Sequence, residues 1–397
     1  MAGSSVSAIL DGIASSSIAF DKNEPGSRED LIEHSRALIA ALEIPSEFIQ
    51  RTFCAEPAQS AIIRLAVDVQ LFQRLQEAGD VGLTPDALAH STGVDVVLLS
   101  RLARHLVSMN LLAFYNGAFQ ATRLSNGLAA ENFQHGICFC YDAAHPSFNA
   151  FPQYFKKTEY RSPTPGGTDG PFQEAHKMQL PFFEWLVANP PHLQHFDSFM
   201  SVYRAGKADW HDFYPVTERM IAGFDSSVSD VLLVDVGGGR GYDAASFAGH
   251  YTSHPGRIVL QDREPVIASV VANGAELPFE ANAHNFFTPQ PIKGARAYIL
   301  CSILHDWSDD DAVRILESLV PALESGYSRV LLNEIIVSEE KPTLEATSMD
   351  MMMLAHFAVR ERTESEWRSI LAKARLKVVN IYNYPGVAGS LIEAELT

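Results

Sequence analysis

The stretch Leu232-Leu-Val-Asp-Val-Gly-Gly-Gly-Arg-Gly241 constrains this chain more than any other. Its apolar residues around Asp235 predict a buried parallel strand. The glycines that follow predict a sharp turn, where the backbone approaches a ligand too closely for any Cβ. Strand-to-helix turns of this kind bind nucleotides, and Gly239-Arg-Gly241-Tyr-Asp-Ala244 even satisfies the dinucleotide pattern, with Asp262 further on. Asp235 argues for a different ligand. A carboxylate two residues before the first glycine would repel a pyrophosphate, an anion held on backbone N–H groups. S-adenosylmethionine has no phosphate and carries an ammonium and a sulfonium. Asp235 followed by Gly237, Gly238 and Gly239 therefore suits it better.

From about Phe213 the pattern alternates strand and helix, the signature of a parallel α/β sheet. A helix is expected over Tyr242–Tyr251 and a strand over Arg257–Asp262, whose closing carboxylate suits a ribose diol or a helix cap. Ala297–Leu304 reads as a further apolar strand with His305-Asp306-Trp307 just past its end. Ser308 with Asp309, Asp310 and Asp311 reads as a cap with dipole-complementary acids rather than a metal site. Arg329–Glu334 is the next strand, Thr363-Glu-Ser-Glu366 a capping box, and two closing strands read as a hairpin at the sheet edge. Ligands in such sheets sit at the carboxyl ends of strands, where Asp262, His305 and Glu334 all fall. Among acids in that place, the histidine is a candidate base.

The first half reads as mostly helical. Ser27-Arg-Glu-Asp30 resembles a capping box before a helix that stops at Pro45, and Ala61–Ala78 reads as one amphipathic helix. Thr84-Pro85 starts a short helix broken at Gly93, Asp95–Met109 is helical again, and Leu111–Ala121 predicts a hairpin around Asn116-Gly117. Helix, turn, helix and hairpin over about 60–125 make a winged-helix module. Its second helix offers only Arg101 and Arg104 in a chain of net charge −18, so dimerisation is expected rather than nucleic-acid binding. The loop at 161–170 separates two aromatic-rich helical stretches, Tyr141–Tyr160 and Phe172–Tyr203, read mainly as core. At 397 residues, two domains are expected: residues 1–205, helical, and residues 206–397, α/β. No apolar run is long enough to span a bilayer, Met1–Leu10 lacks the basic and long apolar regions of a secretory signal, and the four cysteines lack metal or redox spacing. A cytoplasmic protein is expected.

The acid-Gly turn, Gln261-Asp262, Leu304-His-Asp-Trp-Ser-Asp309, Asn333-Glu334, Met353-Leu-Ala-His356 and Arg360-Glu-Arg-Thr363 together resemble the caffeate-type plant and fungal O-methyltransferases. His284-Asn-Phe-Phe-Thr-Pro-Gln-Pro291 brings the fungal secondary-metabolite branch closer still. The resemblance covers roughly residues 60–397. It implies a Rossmann-like S-adenosylmethionine domain preceded by a winged-helix dimerisation domain, working as a homodimer on a small aromatic or polyketide-like molecule, without metal. Carried over by position, it makes His305 the general base, flanked by Glu334 and Glu361. It places Asp235, Gly237, Gly238, Gly239, Asp262, Asn285, Phe286 and Cys301 at the cofactor, and Met178, Trp185, Met353 and Phe357 on the acceptor pocket. The family commonly has Asp at Asn285 and a basic residue at Cys301. The loss of that cation keeps open an alternative, since some fungal members of this fold bind adenosylmethionine yet catalyse pericyclic or dehydrative steps. A non-enzymatic winged-helix regulator is a second alternative.

Overall fold

The structure, a computed structural model, describes residues 5–272 and 276–397; the first four residues of the N-terminal stretch read above lie outside them. Contacts divide the chain into two units, Met1–Asn149 with Phe182–Ala205 and Ala150–Pro181 with Gly206–Thr397.

In the first unit, helices Val6–Asp21 and Ser27–Leu42 pack on each other. Ser27 does not cap as the sequence pattern implied. The cap is Gly26, whose φ of 84° only glycine adopts freely, and the Ser27 hydroxyl instead donates to the Glu24 carbonyl. Pro45 both follows one helix and opens the next, Pro45–Gln50. The long helix expected over 61–78 is broken at Gln70, in the left-handed region at φ 54°, into Glu56–Asp68 and Leu71–Ala78. That turn leaves Leu71, Phe72 and Leu75 buried in the core with Leu88, Leu99, Leu106 and Phe119. Thr84 and Asp95 cap Pro85–Thr92 and Val96–Ser108 through their side-chain oxygens, and Gly93 ends the first of these at φ 71°. Strands β1 (Leu112–Tyr115) and β2 (Ala118–Ala121) pair antiparallel around Asn116 and Gly117, both at positive φ, as a tight hairpin requires. Phe139 meets Phe182, Phe196 and Phe199 at ring separations of 6.3, 5.3 and 5.0 Å, so these aromatics are core.

The second unit is built on a seven-stranded sheet. Its strands are β3 (Val231–Val236), β4 (Arg257–Asp262), β5 (Glu280–Ala283), β6 (Ala297–Cys301), β7 (Arg329–Ile335), β8 (Leu376–Tyr382) and β9 (Gly389–Leu396), in the order β5-β4-β3-β6-β7-β9-β8. Strands β3 to β7 run parallel, and β9 lies antiparallel between β7 and β8. The closing hairpin is therefore not wholly at the edge. Its last strand is interior, with Leu391, Ile392, Glu393 and Ala394 fully buried. Polar β5 has no apolar alternation to announce it.

Strand β6 is shorter than its apolar run implied. Ser302 turns to φ 53° and its N–H donates to the Asn333 carbonyl at 2.9 Å. The N–H groups of Ile303 and Leu304 then go to the Glu334 carboxylate, so the chain leaves the ladder and forms a single 3₁₀ turn, Leu304–Asp306. Helix Pro171–His176 packs on Leu344–Phe357, which also contacts the Leu304–Asp306 turn, with the Phe172 and His356 rings 5.5 Å apart.

Candidate active site

The carboxyl ends of the parallel strands carry the glycine turn, Asp262, the turn after β6 and Glu334. At the first of these, Gly237, Gly239 and Gly241 sit at φ 74°, 59° and 78°, where glycine alone is unstrained. Gly238 is required for a different reason. A Cβ there would lie 2.4 Å from the Asp235 carboxyl carbon, and Asp235 is fully buried at the end of β3. The turn is thus moulded over a carboxylate. A pyrophosphate would face that charge, whereas an ammonium or sulfonium is favoured by it.

The same turn is tied to β4. Gly237 and Gly238 donate to the Gln261 carbonyl at 2.7 and 3.2 Å, and Gly239 donates to Asp262 Oδ2 at 2.9 Å. Asp262 Oδ1 accepts from the adjacent Arg263 N–H at 2.7 Å; the following helix begins at Glu264, so Asp262 does not cap it and instead holds the glycine turn. The Gln261 and Gln290 amides pair reciprocally in the interior at 3.0 and 2.8 Å. Asn285 is exposed and accepts from the Phe287 N–H, while Phe286 packs near the rings of Phe287 and Trp307. The Phe286 ring also lies 3.4 Å from where a Gly237 Cβ would stand, which puts it beside the turn. Cys301 ends β6, opposite Asn333.

His305 lies in the 3₁₀ turn, buried at 6% exposure. Its Nδ1 is 2.8 Å from Glu361 Oε1, and its Nε2 is 3.6 Å from Asp306 Oδ1. Because a buried carboxylate takes the proton-bearing nitrogen, Nδ1 is assigned as the donor and Nε2 as the atom left to react. Glu334 accepts from Ile303 and Leu304 at 3.0 and 2.7 Å, fixing the turn beneath the imidazole. Burial alone would depress the His305 pKa, but Asp306, Glu361 and Glu334 outweigh it and raise it to about 10. Burial and the neighbouring Glu361 push Glu334 up to about 7 and Asp306 up to about 6, each partly offset by His305.

Asp306 and Arg362 complete this cluster and were not singled out in the sequence. Arg362 is 1% exposed, donates to the carbonyls of Leu304 and Trp307 at 2.8 and 2.6 Å and pairs with Asp309 at 2.8 Å. It clamps the His305 turn from below and stacks over Trp367. The backbone N–H of Glu361 is anchored on Asp350 at 2.8 Å. Asp309, read as a dipole acid, also serves as the Arg362 partner.

Of the four residues assigned to the acceptor, three belong to this unit. Met353 and Phe357 are one helical turn apart on Leu344–Phe357, the first buried, and the Met178 sulfur accepts from the Leu180 N–H at 3.1 Å. Trp185 belongs to the other unit, buried and stacked on His192 with ring centroids 4.6 Å apart.

A family model described as an O-methyltransferase domain matches residues 171–377. The chain is 62% identical to O-methyltransferase mpaG of Penicillium roqueforti over 99% of both chains, and 59% identical to O-methyltransferase mpaG of Penicillium brevicompactum over the whole of both. It also resembles the solved structure of LepI in complex with S-adenosylmethionine, at TM-score 0.89 and 26% identity over 99% of each chain. OxaC bound to sinefungin and meleagrin, at TM-score 0.81 and 22% identity over 99% of each chain, shares the fold. The buried acid under a glycine turn and the histidine caged by carboxylates therefore sit in a chain that belongs to the O-methyltransferase family and uses S-adenosylmethionine.

Proposed function

We propose that His305 Nε2 takes the proton from a phenolic or polyketide-derived hydroxyl of a small acceptor, with Glu361 and Glu334 orienting the ring. The observation that carries this reading is the 2.8 Å bond from His305 Nδ1 to a fully buried Glu361, which leaves one nitrogen to act. A phenol has a pKa near 10 and is a poor nucleophile at neutral pH, so proton removal by a positioned base accelerates its attack about 10²–10⁴-fold. When bound, adenosylmethionine supplies an electrophilic methyl on a sulfonium, whose positive charge also disfavours the imidazolium.

The residues that would hold it are Asp235 with Gly237, Gly238 and Gly239, Asp262 at the ribose, and Asn285 and Phe286 toward the adenine, with Cys301 beside them. The buried Asp235 carboxylate over which the glycine turn is moulded fits a cationic ligand. Met178, Met353, Phe357 and Trp185 are proposed as acceptor contacts. Incubation with labelled adenosylmethionine and a panel of fungal phenols should give a product heavier by one methyl together with adenosylhomocysteine. His305→Ala should abolish turnover while leaving cofactor affinity nearly intact; retention of more than about a tenth of the rate would remove the base assignment. Conversion of an acceptor without release of adenosylhomocysteine would favour rearrangement chemistry instead.

The segment over about 60–125 is proposed as a winged helix that serves dimerisation. The apolar side chains exposed on the N-terminal helices support a homodimer. Among the described residues no helix is long and apolar enough to cross a membrane. Four unbridged cysteines are compatible with a cytoplasmic setting.

A further inference from the structure

His211 lies in the second unit, on the short helix Trp210–Phe213, and is 3% exposed. Its Nε2 is 3.0 Å from the Ser246 hydroxyl, and that hydroxyl donates to Asp209 Oδ2 at 2.6 Å. A serine proton committed to a carboxylate leaves the serine oxygen as an acceptor, so Nε2 carries the imidazole proton. Nδ1 is then a bare lone pair. It is buried, has no hydrogen-bond partner among the described residues, and faces Asp212 Oδ1 at 3.6 Å. Two electron-rich atoms facing each other beyond hydrogen-bonding distance call for a cation between them. His250, at the end of helix Tyr242–His250, closes the third side, its ring 5.2 Å from that of His211.

We propose that His211 Nδ1, the Asp212 carboxylate and His250 form a structural site for a divalent transition-metal ion of the zinc class. One ligating atom from each of the three lies within 4.8 Å of the others. Neighbouring ligands on a tetrahedral zinc with bonds of about 2.0–2.1 Å stand about 3.4 Å apart, close to the 3.6 Å between His211 and Asp212. Asp212 and His250 are exposed, so their side chains can close the remaining gap and admit the ion from solvent. Two imidazoles and one carboxylate suit zinc rather than magnesium or calcium, which prefer oxygen alone. The Ser246–Asp209 relay behind Nε2 is the outer support that metal-binding histidines use to fix ring and tautomer.

The backbone is already set for such a site. Trp210 lies flat on Phe247, with ring centroids 5.5 Å apart and 5° between planes, holding the two elements together. An ion there would pin the Trp210–Phe213 turn to the far end of the helix that begins at the cofactor loop. That helix has nine residues, so the site stands about 13 Å along it from Gly241. The metal site is thus separate from the methyl-transfer chemistry.

Untagged full-length protein, stripped with chelator, should be titrated calorimetrically with zinc chloride alone and optically with cobalt chloride. One equivalent should bind, the cobalt form should show the intense visible bands of a low-symmetry four-coordinate ion, and zinc should raise Tm. His250→Ala and Asp212→Asn, both at exposed positions, should each weaken zinc at least about tenfold. Both should abolish the Tm rise while leaving adenosylmethionine affinity and turnover unchanged. Absence of stoichiometric binding, or binding of equal strength in both variants, would overturn the site.

Discussion

At neutral pH an imidazole raised to about 10 carries its proton and cannot accept another. The acids around His305 thus favour its protonated form in the free enzyme, and it can act as a base only once that proton has left. In the free enzyme kcat/KM should rise with pH through the alkaline range, because that parameter reports groups of the free enzyme. Glu361→Gln removes the closest anion, so the inflection should move to lower pH while the maximal rate falls. An unmoved inflection would show that Glu361 does not set the ring's charge. The stability sign runs the other way. A histidine pKa raised from 6.5 to about 10 contributes fully below pH 6.5, and this contribution fades as pH climbs toward 10. The raised Glu334, near 7, similarly makes the native state lose stability as pH rises from its ordinary 4.5 toward 7. Gly238 acts by sterics. Gly238→Ala drives a Cβ onto Asp235, an overpacking cost of about 1–3 kcal/mol. It should weaken adenosylmethionine by roughly ten- to a hundredfold in calorimetry; unchanged affinity would mean that the turn can shift without consequence.

At the scale of elements, Arg362 joins the His305 turn to the helix that opens at Thr363. Its guanidinium satisfies two carbonyls and Asp309 at once, a fork that lysine cannot reproduce. Arg362→Lys should cost about 1–3 kcal/mol in denaturant unfolding, the scale of leaving a buried carbonyl unsatisfied, and lower kcat more than it raises KM. A kcat loss without any stability loss would mean that the clamp serves the chemistry alone. Arg362 also illustrates what sequence leaves hidden. Local devices were legible: the Thr84, Asp95, Ser308 and Thr363 caps act within three residues, and the strand-glycine turn is contiguous. Ser302 and the interior place of β9 were not, because each answers to partners far away in the chain, nor was the break at Gln70, which seats Leu71, Phe72 and Leu75 in a core shared with Leu99 and Phe119. His305, Glu334 and Glu361 were legible as a motif set. Asp306 and Arg362 passed as ordinary charged residues, since nothing local distinguishes a buried arginine from a solvated one.

For the whole molecule, the N-terminal helices pose the largest question. Helix Val6–Asp21 buries only Ile9 among its apolar residues, and Ser27–Leu42 buries none of its own. Ile18, Ile39, Leu42, Ile49 and Phe53 stand at 59, 52, 61, 57 and 68% exposure. An isolated chain rarely leaves so contiguous an apolar segment in water, and an isologous interface between two copies is the economical way to cover it. Light scattering should therefore give about twice the 43.6 kDa chain mass. Ile39→Glu with Leu42→Glu should reduce this to the single-chain mass. Both positions already face solvent within the chain, so the monomer should keep its far-ultraviolet dichroism and its adenosylmethionine affinity. The family resemblance implies a working homodimer, so turnover of the doubly substituted monomer should fall even though the cofactor still binds. A monomeric wild type would sink the dimer, and a fully active monomeric variant would sink its role in turnover. A variant that stays dimeric would place the interface elsewhere on the helical unit.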